Sequence, residues 1–235
     1  GKINVFGSIE QIAKLVKEGF SGKILSVLPT KELAQEILLD SIKVMREECG
    51  KELFSRENID GTMKLWETIS YHQIFELNGL SFEFFDAGHI LGSSFIKITD
   101  KNKTIIFSGD LGNSPDPLLK DTEALPETDF LIIDSTYGNR NHKDFEQRKE
   151  LLEDILENTI KNKGVLIIPA FAIERTQEIL FEIDNLIENS KIPLLPIFLD
   201  SPLGLRITEI YQKYPEYLNE TAKRKKLRTA QRERR

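Results

Sequence analysis

The chain has 235 residues, 40% hydrophobic and 30% charged, with a net charge of −6; that is enough to bury one large or two small cores. No apolar run reaches the ~20 residues of a membrane helix, and the start shows no basic segment followed by an apolar core, so neither a membrane span nor a secretory leader is expected. The single cysteine, Cys49, excludes an internal disulfide and a thiolate metal cluster, agrees with a cytoplasmic location, and leaves any metal to His, Asp or Glu.

Ile9, Ile12, Ala13, Leu15 and Val16 recur at helical spacing, which predicts a helix over 9–18 stopped by Gly19. Residues 23–28 read as a strand. Thr30 is the expected cap of a helix running to about residue 48, with Leu33, Ala34, Ile37, Leu38, Ile42 and Met45 on one face. A shorter helix is expected over 58–66. Strands are expected over 80–85, 95–98 and 104–107, the last two joined by the polar turn Asp100-Lys101-Asn102-Lys103. The continuous apolar run 130–133 predicts a strand buried on both faces. After Gly138 the pattern alternates: helix 145–161, strand 165–168, helix 174–188, strand 195–199, helix 204–214. Such alternation implies parallel βαβ units, so the expected class is α/β, with a mixed region to about Tyr137 and an α/β region after it. The last 13 residues, 223–235, hold eight Lys or Arg and one Glu, a net of +7 that leaves −13 on the rest. The tail reads as a solvated, disordered end, with phosphate-backbone binding as the functional alternative.

Three of the expected strands end in turns that bear reactive side chains. His89 lies between glycines in Asp86-Ala87-Gly88-His89-Ile90-Leu91-Gly92-Ser93, where the backbone can bend sharply. Asp110 follows Phe107-Ser108-Gly109, and Asp134 opens Asp134-Ser135-Thr136-Tyr137-Gly138. Taken singly, each has a plain reading: a packed histidine, or ordinary turn chemistry. The pair His89 and Asp110 says more, because a hairpin between them returns the chain to the same sheet edge and lets both side chains face one cavity. A histidine with a bridging aspartate suits two divalent ions about 3.5–4 Å apart, which clamp an attacking and a phosphate oxygen.

Segments 86–94, 107–113 and 132–139 resemble three successive motifs of the metallo-β-lactamase fold. The Asp-Ser-Thr-Tyr-Gly unit narrows the resemblance to the β-CASP branch, of the ribonuclease J and pre-mRNA 3′-end-processing endonuclease type. Pro169-Ala170-Phe171-Ala172-Ile173-Glu174-Arg175-Thr176-Gln177-Glu178, Asp200-Ser201-Pro202-Leu203-Gly204 and Leu15-Val16-Lys17-Glu18-Gly19-Phe20-Ser21-Gly22-Lys23-Ile24 also match that branch, so the resemblance covers about residues 9–222. It implies a partial metallo-β-lactamase αββα sandwich over 1–140, part of an inserted β-CASP α/β domain over 141–222, and the basic tail over 223–235. It further implies that His89 binds one Zn2+ and Asp110 bridges two, and that Asp134 orients a catalytic histidine supplied later in the chain. The implied reaction is hydrolysis of an RNA phosphodiester by a zinc-bound hydroxide. The implied partner is single-stranded RNA, with DNA open because DNA-repair nucleases share the branch; no membrane is implied, and a homo-oligomer is compatible.

Ser135 and Arg175 are the candidate substrate contacts. Free N–H groups after Ala170-Phe171-Ala172 offer a phosphate site that Arg175 can join. The plainer alternatives are turn material for Ser135, and pairing of Arg175 with Glu178. The sequence departs from the family at its main metal motif, His-x-His-x-Asp-His, whose positions fall on Ile3, Val5, Gly7 and Ser8. His72 and His142 match no family ligand position; the first is expected exposed or half-buried before a strand, the second in a loop. The resulting expectation is a nuclease impaired in metal binding. Its alternatives are a non-catalytic pseudo-enzyme or RNA- or protein-binding subunit, and a truncated or frame-shifted gene fragment.

Overall fold

The computed structural model describes residues 9–50, 52–136, 138–139 and 145–225. The expectations for Ile3, Val5, Gly7, Ser8, Tyr137, His142 and the tail past Lys225 lie outside the described residues. The chain divides into two compact units, Gly1–Asp134 and Ser135–Arg235.

In the first unit, helix α1 (Ile9–Lys17) ends before Gly19, whose φ of +97° favours glycine. Strand β1 (Ile24–Ser26) is shorter than expected, because Val27 is already the N-cap of helix α2 (Leu28–Val44) and Pro29 sits in its first turn. Thr30 is therefore not the cap. Its hydroxyl donates instead to Gly92 O, 2.6 Å away, in the loop that carries His89. A π-type turn (Met45–Cys49) extends the helix to Gly50. Helix α3 (Arg56–Leu65) opens with a reciprocal Ser55–Asn58 capping box. Ala13, Leu38, Ile42, Phe54 and Ile59 form the core these helices share. Trp66, expected to close α3, begins strand β2 (Trp66–Thr68), parallel to β1; its indole N–H donates to buried Ser26 Oγ, 2.8 Å away.

The main sheet runs β3 (Phe75–Leu77), β4 (Leu80–Asp86), β5 (Ser94–Asp100), β6 (Lys103–Phe107) and β7 (Phe130–Ile132), in that spatial order. Pairing is antiparallel from β3 to β6 and parallel between β6 and β7. β4, β6 and β7 therefore point the same way and end on one sheet edge. The register lines up two apolar rows on one face: Phe82, Ile98, Ile105 and Phe130, then Phe84, Ile96, Phe107 and Ile132. On the other face Phe85 stacks on Phe95, ring centroids 4.9 Å apart, in a core with Ala87 and Ile106.

β7 departs from expectation. Its three residues are exposed rather than buried, Phe130 by 58%. Among the described residues it pairs with β6 alone, so it forms the sheet edge and its apolar side chains stay open.

The second unit comprises helices α4 (Phe145–Lys161), α5 (Arg175–Glu188), α6 (Pro202–Lys213) and α7 (Glu220–Arg224). Leu156, Ile183 and Ile192 form its core. Buried Gln177 joins α5 to α6 by donating to Thr208 Oγ1, 2.9 Å away. Ser201 caps α6, its Oγ accepting the Gly204 N–H at 3.0 Å, with Pro202 in the first turn. The strands expected at 165–168 and 195–199 form no ladder among the described residues, so the parallel βαβ units implied by the alternation are not built. Their two-residue period still shows in packing. Leu166, Leu195 and Ile197 turn to the helix core, whereas Val165 is 89% exposed and Phe198 is open. The helices bury one side of each segment, and a ladder needs a hydrogen-bonded neighbour besides.

Candidate active site

The loop between β4 and β5 is built to hold His89. Asp86, the last residue of β4, is buried, and its Oδ1 accepts the Gly88 N–H at 2.9 Å. Ser93 closes the loop from the far side: its Oγ accepts the N–H groups of His89 at 3.0 Å and Ile90 at 3.2 Å. Ala87 O accepts from Gly112 N–H at 2.8 Å and from Thr122 Oγ1 at 2.9 Å. Gly88 adopts φ +59° with Thr122 N and Lys120 O closing on its Cβ position, so both conformation and space require glycine there. The result is a fixed backbone beneath an imidazole that is 43% exposed.

Burial raises the Asp86 carboxyl pKa above the ordinary aspartate value, and nearby Glu123 adds to it; the Gly88 N–H and Lys120 oppose. The folded chain therefore keeps this proton to higher pH than the unfolded chain. Stability attributable to Asp86 is present below the ordinary carboxylate range, about pH 4, and is lost as pH rises through the folded value. Asp86→Asn keeps an acceptor for Gly88 and removes that loss. In thermal melts from acid to neutral pH, the parent midpoint should fall relative to the variant as pH rises. Parallel curves would contradict this.

Asp110 sits on the turn after β6, next to Gly109 at φ +54°. Its Oδ2 lies 3.8 Å from His89 Nε2, and its side chain is 73% exposed. The expected juxtaposition is present: two donors of different type meet on the edge where β4 and β6 end. Asp134 leaves the neighbouring strand, and its N–H donates to Ser108 Oγ at 3.0 Å. Buried Ser108 in turn donates its N–H to Ile132 O at 2.9 Å, so the turns bearing Asp110 and Asp134 are tied together. Ser135 is exposed, and its carbonyl accepts the Gly138 N–H at 2.9 Å.

Arg175 belongs to the second unit, as the first residue of α5. Its Nη1 lies 2.5 Å from Glu178 Oε2, the pairing that the plainer reading anticipates. At this helix start the Arg175 N–H donates to Ile173 O at 2.8 Å and the Thr176 N–H to Phe171 O at 3.3 Å, so these two donors are taken. The preceding Glu174 is buried at φ +61°, and its carboxylate accepts the Tyr211 hydroxyl. His72 is exposed as expected. It lies 3.2 Å from Glu123 and 3.8 Å from Glu83, with its ring edge-on to Phe85.

An imidazole nitrogen and a carboxylate oxygen are donors that a divalent ion such as zinc accepts. Among the described residues, no third histidine, cysteine or carboxylate offers an atom within 4.8 Å of both. A catalytic zinc takes three protein donors plus water, so His89 and Asp110 fit as part of such a set. The sequence reading gives Asp86, Ser93, Tyr71, Thr122 and Thr30 no part in holding the His89 turn, although the Tyr71 hydroxyl donates to Ser93 O at 2.8 Å. Only Asp86 left a readable signal, an aspartate two residues before a glycine.

Two family models match the chain: one described as Metallo-beta-lactamase superfamily domain over residues 4–134, the other as Beta-Casp domain over residues 176–234. The chain is 32% identical over 212 residues to Ribonuclease TTHA0252 from Thermus thermophilus, covering 90% of this chain and 48% of that protein. It is 30% identical over 221 residues to Endoribonuclease YSH1 from Kluyveromyces lactis, covering 89% and 29%. It is 32% identical over 209 residues to Cleavage and polyadenylation specificity factor subunit 3-I from Arabidopsis thaliana, covering 88% and 30%. The chain thus spans about half the length of the bacterial relative and less than a third of the other two.

Proposed function

Because the chain belongs to the metallo-β-lactamase superfamily, in its β-CASP branch, we propose that it carries part of the active centre of a metal-dependent hydrolase that cleaves single-stranded RNA. The observation that supports this reading is the His89–Asp110 pair, 3.8 Å apart on the edge where β4, β6 and β7 end. Superfamily membership implies metal ions, and zinc is the ion proposed because it accepts both donor types. Bound there, it supplies Lewis acidity toward a phosphoryl oxygen and an activated water.

The remaining work falls to the chain itself. His89 contributes Nε2 from a backbone held by Asp86 and Ser93, so little reorganisation precedes binding. Asp110 would contribute a carboxylate oxygen to the same metal site, and Asp134 would orient a catalytic histidine that the family supplies from a later segment. The Ser135 hydroxyl and the Arg175 guanidinium contact RNA phosphates, the latter by exchanging Glu178 for a phosphate oxygen. RNA is preferred over DNA because the named relatives are ribonucleases or a cleavage and polyadenylation factor. The proposed location is the cytoplasm; no described helix is long and apolar enough to cross a membrane.

A second reading, a non-catalytic RNA-binding subunit, is favoured by the lack of a third nearby donor among the described residues. One assay separates the two. Labelled single-stranded RNA and its DNA counterpart are incubated with the chain, with zinc, with a chelator, and with zinc restored. Cleavage of RNA that the chelator stops and zinc restores is expected. RNA binding without cleavage in any arm would overturn the hydrolase reading in favour of the second.

A further inference from the structure

Tyr71 lies in the short loop before β3, 18 residues from His89 in sequence, and none of the motifs includes it. Its hydroxyl donates to Ser93 O, 2.8 Å away. Asp86 and Ser93 are the two ends of the His89 loop. Asp86 fixes Gly88 through its N–H, and Ser93 fixes His89 and Ile90 through theirs. The Tyr71 hydroxyl thus holds the backbone of Ser93, whose side chain in turn holds the His89 and Ile90 amides.

The body of Tyr71 does not depend on that hydroxyl for its own place. The next residue is anchored separately: the His72 N–H donates to Phe84 O at 2.9 Å, its ring packs edge-on to Phe85, and Glu123 lies 3.2 Å from Nε2. Glu123 is itself attached to the strand end, its N–H donating to Asp86 O at 3.1 Å. The loop around residue 71 is therefore held to β4 at two further points.

We propose that Tyr71 is a positioning residue of this site, its hydroxyl setting the His89 loop in its metal-competent form by fixing the Ser93 backbone. The proposal rests on the reading of His89 as a metal ligand. It does not require RNA cleavage, because the loop geometry can be read without metal or substrate.

The test is amide hydrogen exchange on the full chain, parent against Tyr71→Phe, followed by titration with Zn2+ alone. The His89 and Ile90 amides should exchange about tenfold faster in the variant, with the β5 and β6 amides at parental rates. Zn2+ affinity should fall by about the same factor. Should Tyr71→Phe fail to fold, 3-fluorotyrosine placed at residue 71, which keeps the ring and changes only the acidity of the hydroxyl, decides: exchange at His89 and Ile90 should shift while β5 and β6 stay at parental rates.

Parental exchange at His89 and Ile90, or acceleration spread evenly over β4, β5 and β6, would overturn the proposal. So would parental exchange at His89 and Ile90 after fluorination of residue 71. A chain that shows the local acceleration but no chelator-sensitive cleavage sinks the hydrolase reading and leaves the role of Tyr71 intact.

Discussion

Gly112→Ala is expected to cost about 3 kcal/mol or more and to push His89 away from Asp110. A Cβ at residue 112 would lie 1.8 Å from Gly88 O and 3.0 Å from His89 N. Both are backbone atoms, so no rotamer change relieves the clash. The Gly112 N–H also donates to Ala87 O at 2.8 Å, which fixes the distance between the two turns. The contrast is Gly50→Ala, where φ is +61° and nothing lies within 4 Å of the added carbon. That change costs conformational strain alone, about 1 kcal/mol. Urea unfolding of the two variants checks this. Equal losses would show that residue 112 is not packed against the His89 turn.

Asp110→Ala and His89→Ala are expected to lower RNA cleavage by about 100-fold or more while leaving the fold in place. Asp110 is 73% exposed, so removing its carboxylate should change stability by about 0.5 kcal/mol or less. The double variant should be little worse than either single one, because the proposal puts both side chains on one ion. Steady-state cleavage beside thermal melts measures both. Full cleavage in Asp110→Ala, or additive losses in the double variant, would separate the pair from the chemistry.

Much of the site is legible in the sequence, and the reason is topological. His89 and Asp110 flank β5 and β6, and a hairpin must bring the chain back to the edge it left. Asp134 follows because β6 and β7 run parallel. The helices read clearly where an apolar stripe repeats, as in α2 with Leu33, Ala34, Leu38 and Ile42. Apart from Asp86, what surrounds His89 does not read. Thr30 reaches Gly92 across 62 residues, Thr122 reaches Ala87 across 35 and Tyr71 reaches Ser93 across 22. Threonine and tyrosine carry no local pattern that announces such a partner.

The three misread strands share one cause. Apolar runs at 130–133, 165–168 and 195–199 signal a preference for burial, but burial and ladder pairing belong to the neighbours. Phe130 and Val165 stay exposed although their composition is that of buried strands. Thr30 failed as a cap because the Val27-Leu28-Pro29 start places the helix earlier, and proline suits the first turn.

Joint metal ligation by His89 and Asp110 is tested most directly by zinc anomalous scattering from crystals of the chain grown with zinc. The expected result is an anomalous peak about 2.0–2.2 Å from both His89 Nε2 and an Asp110 carboxylate oxygen. Zinc bound only elsewhere, with the two side chains turned apart, would contradict it.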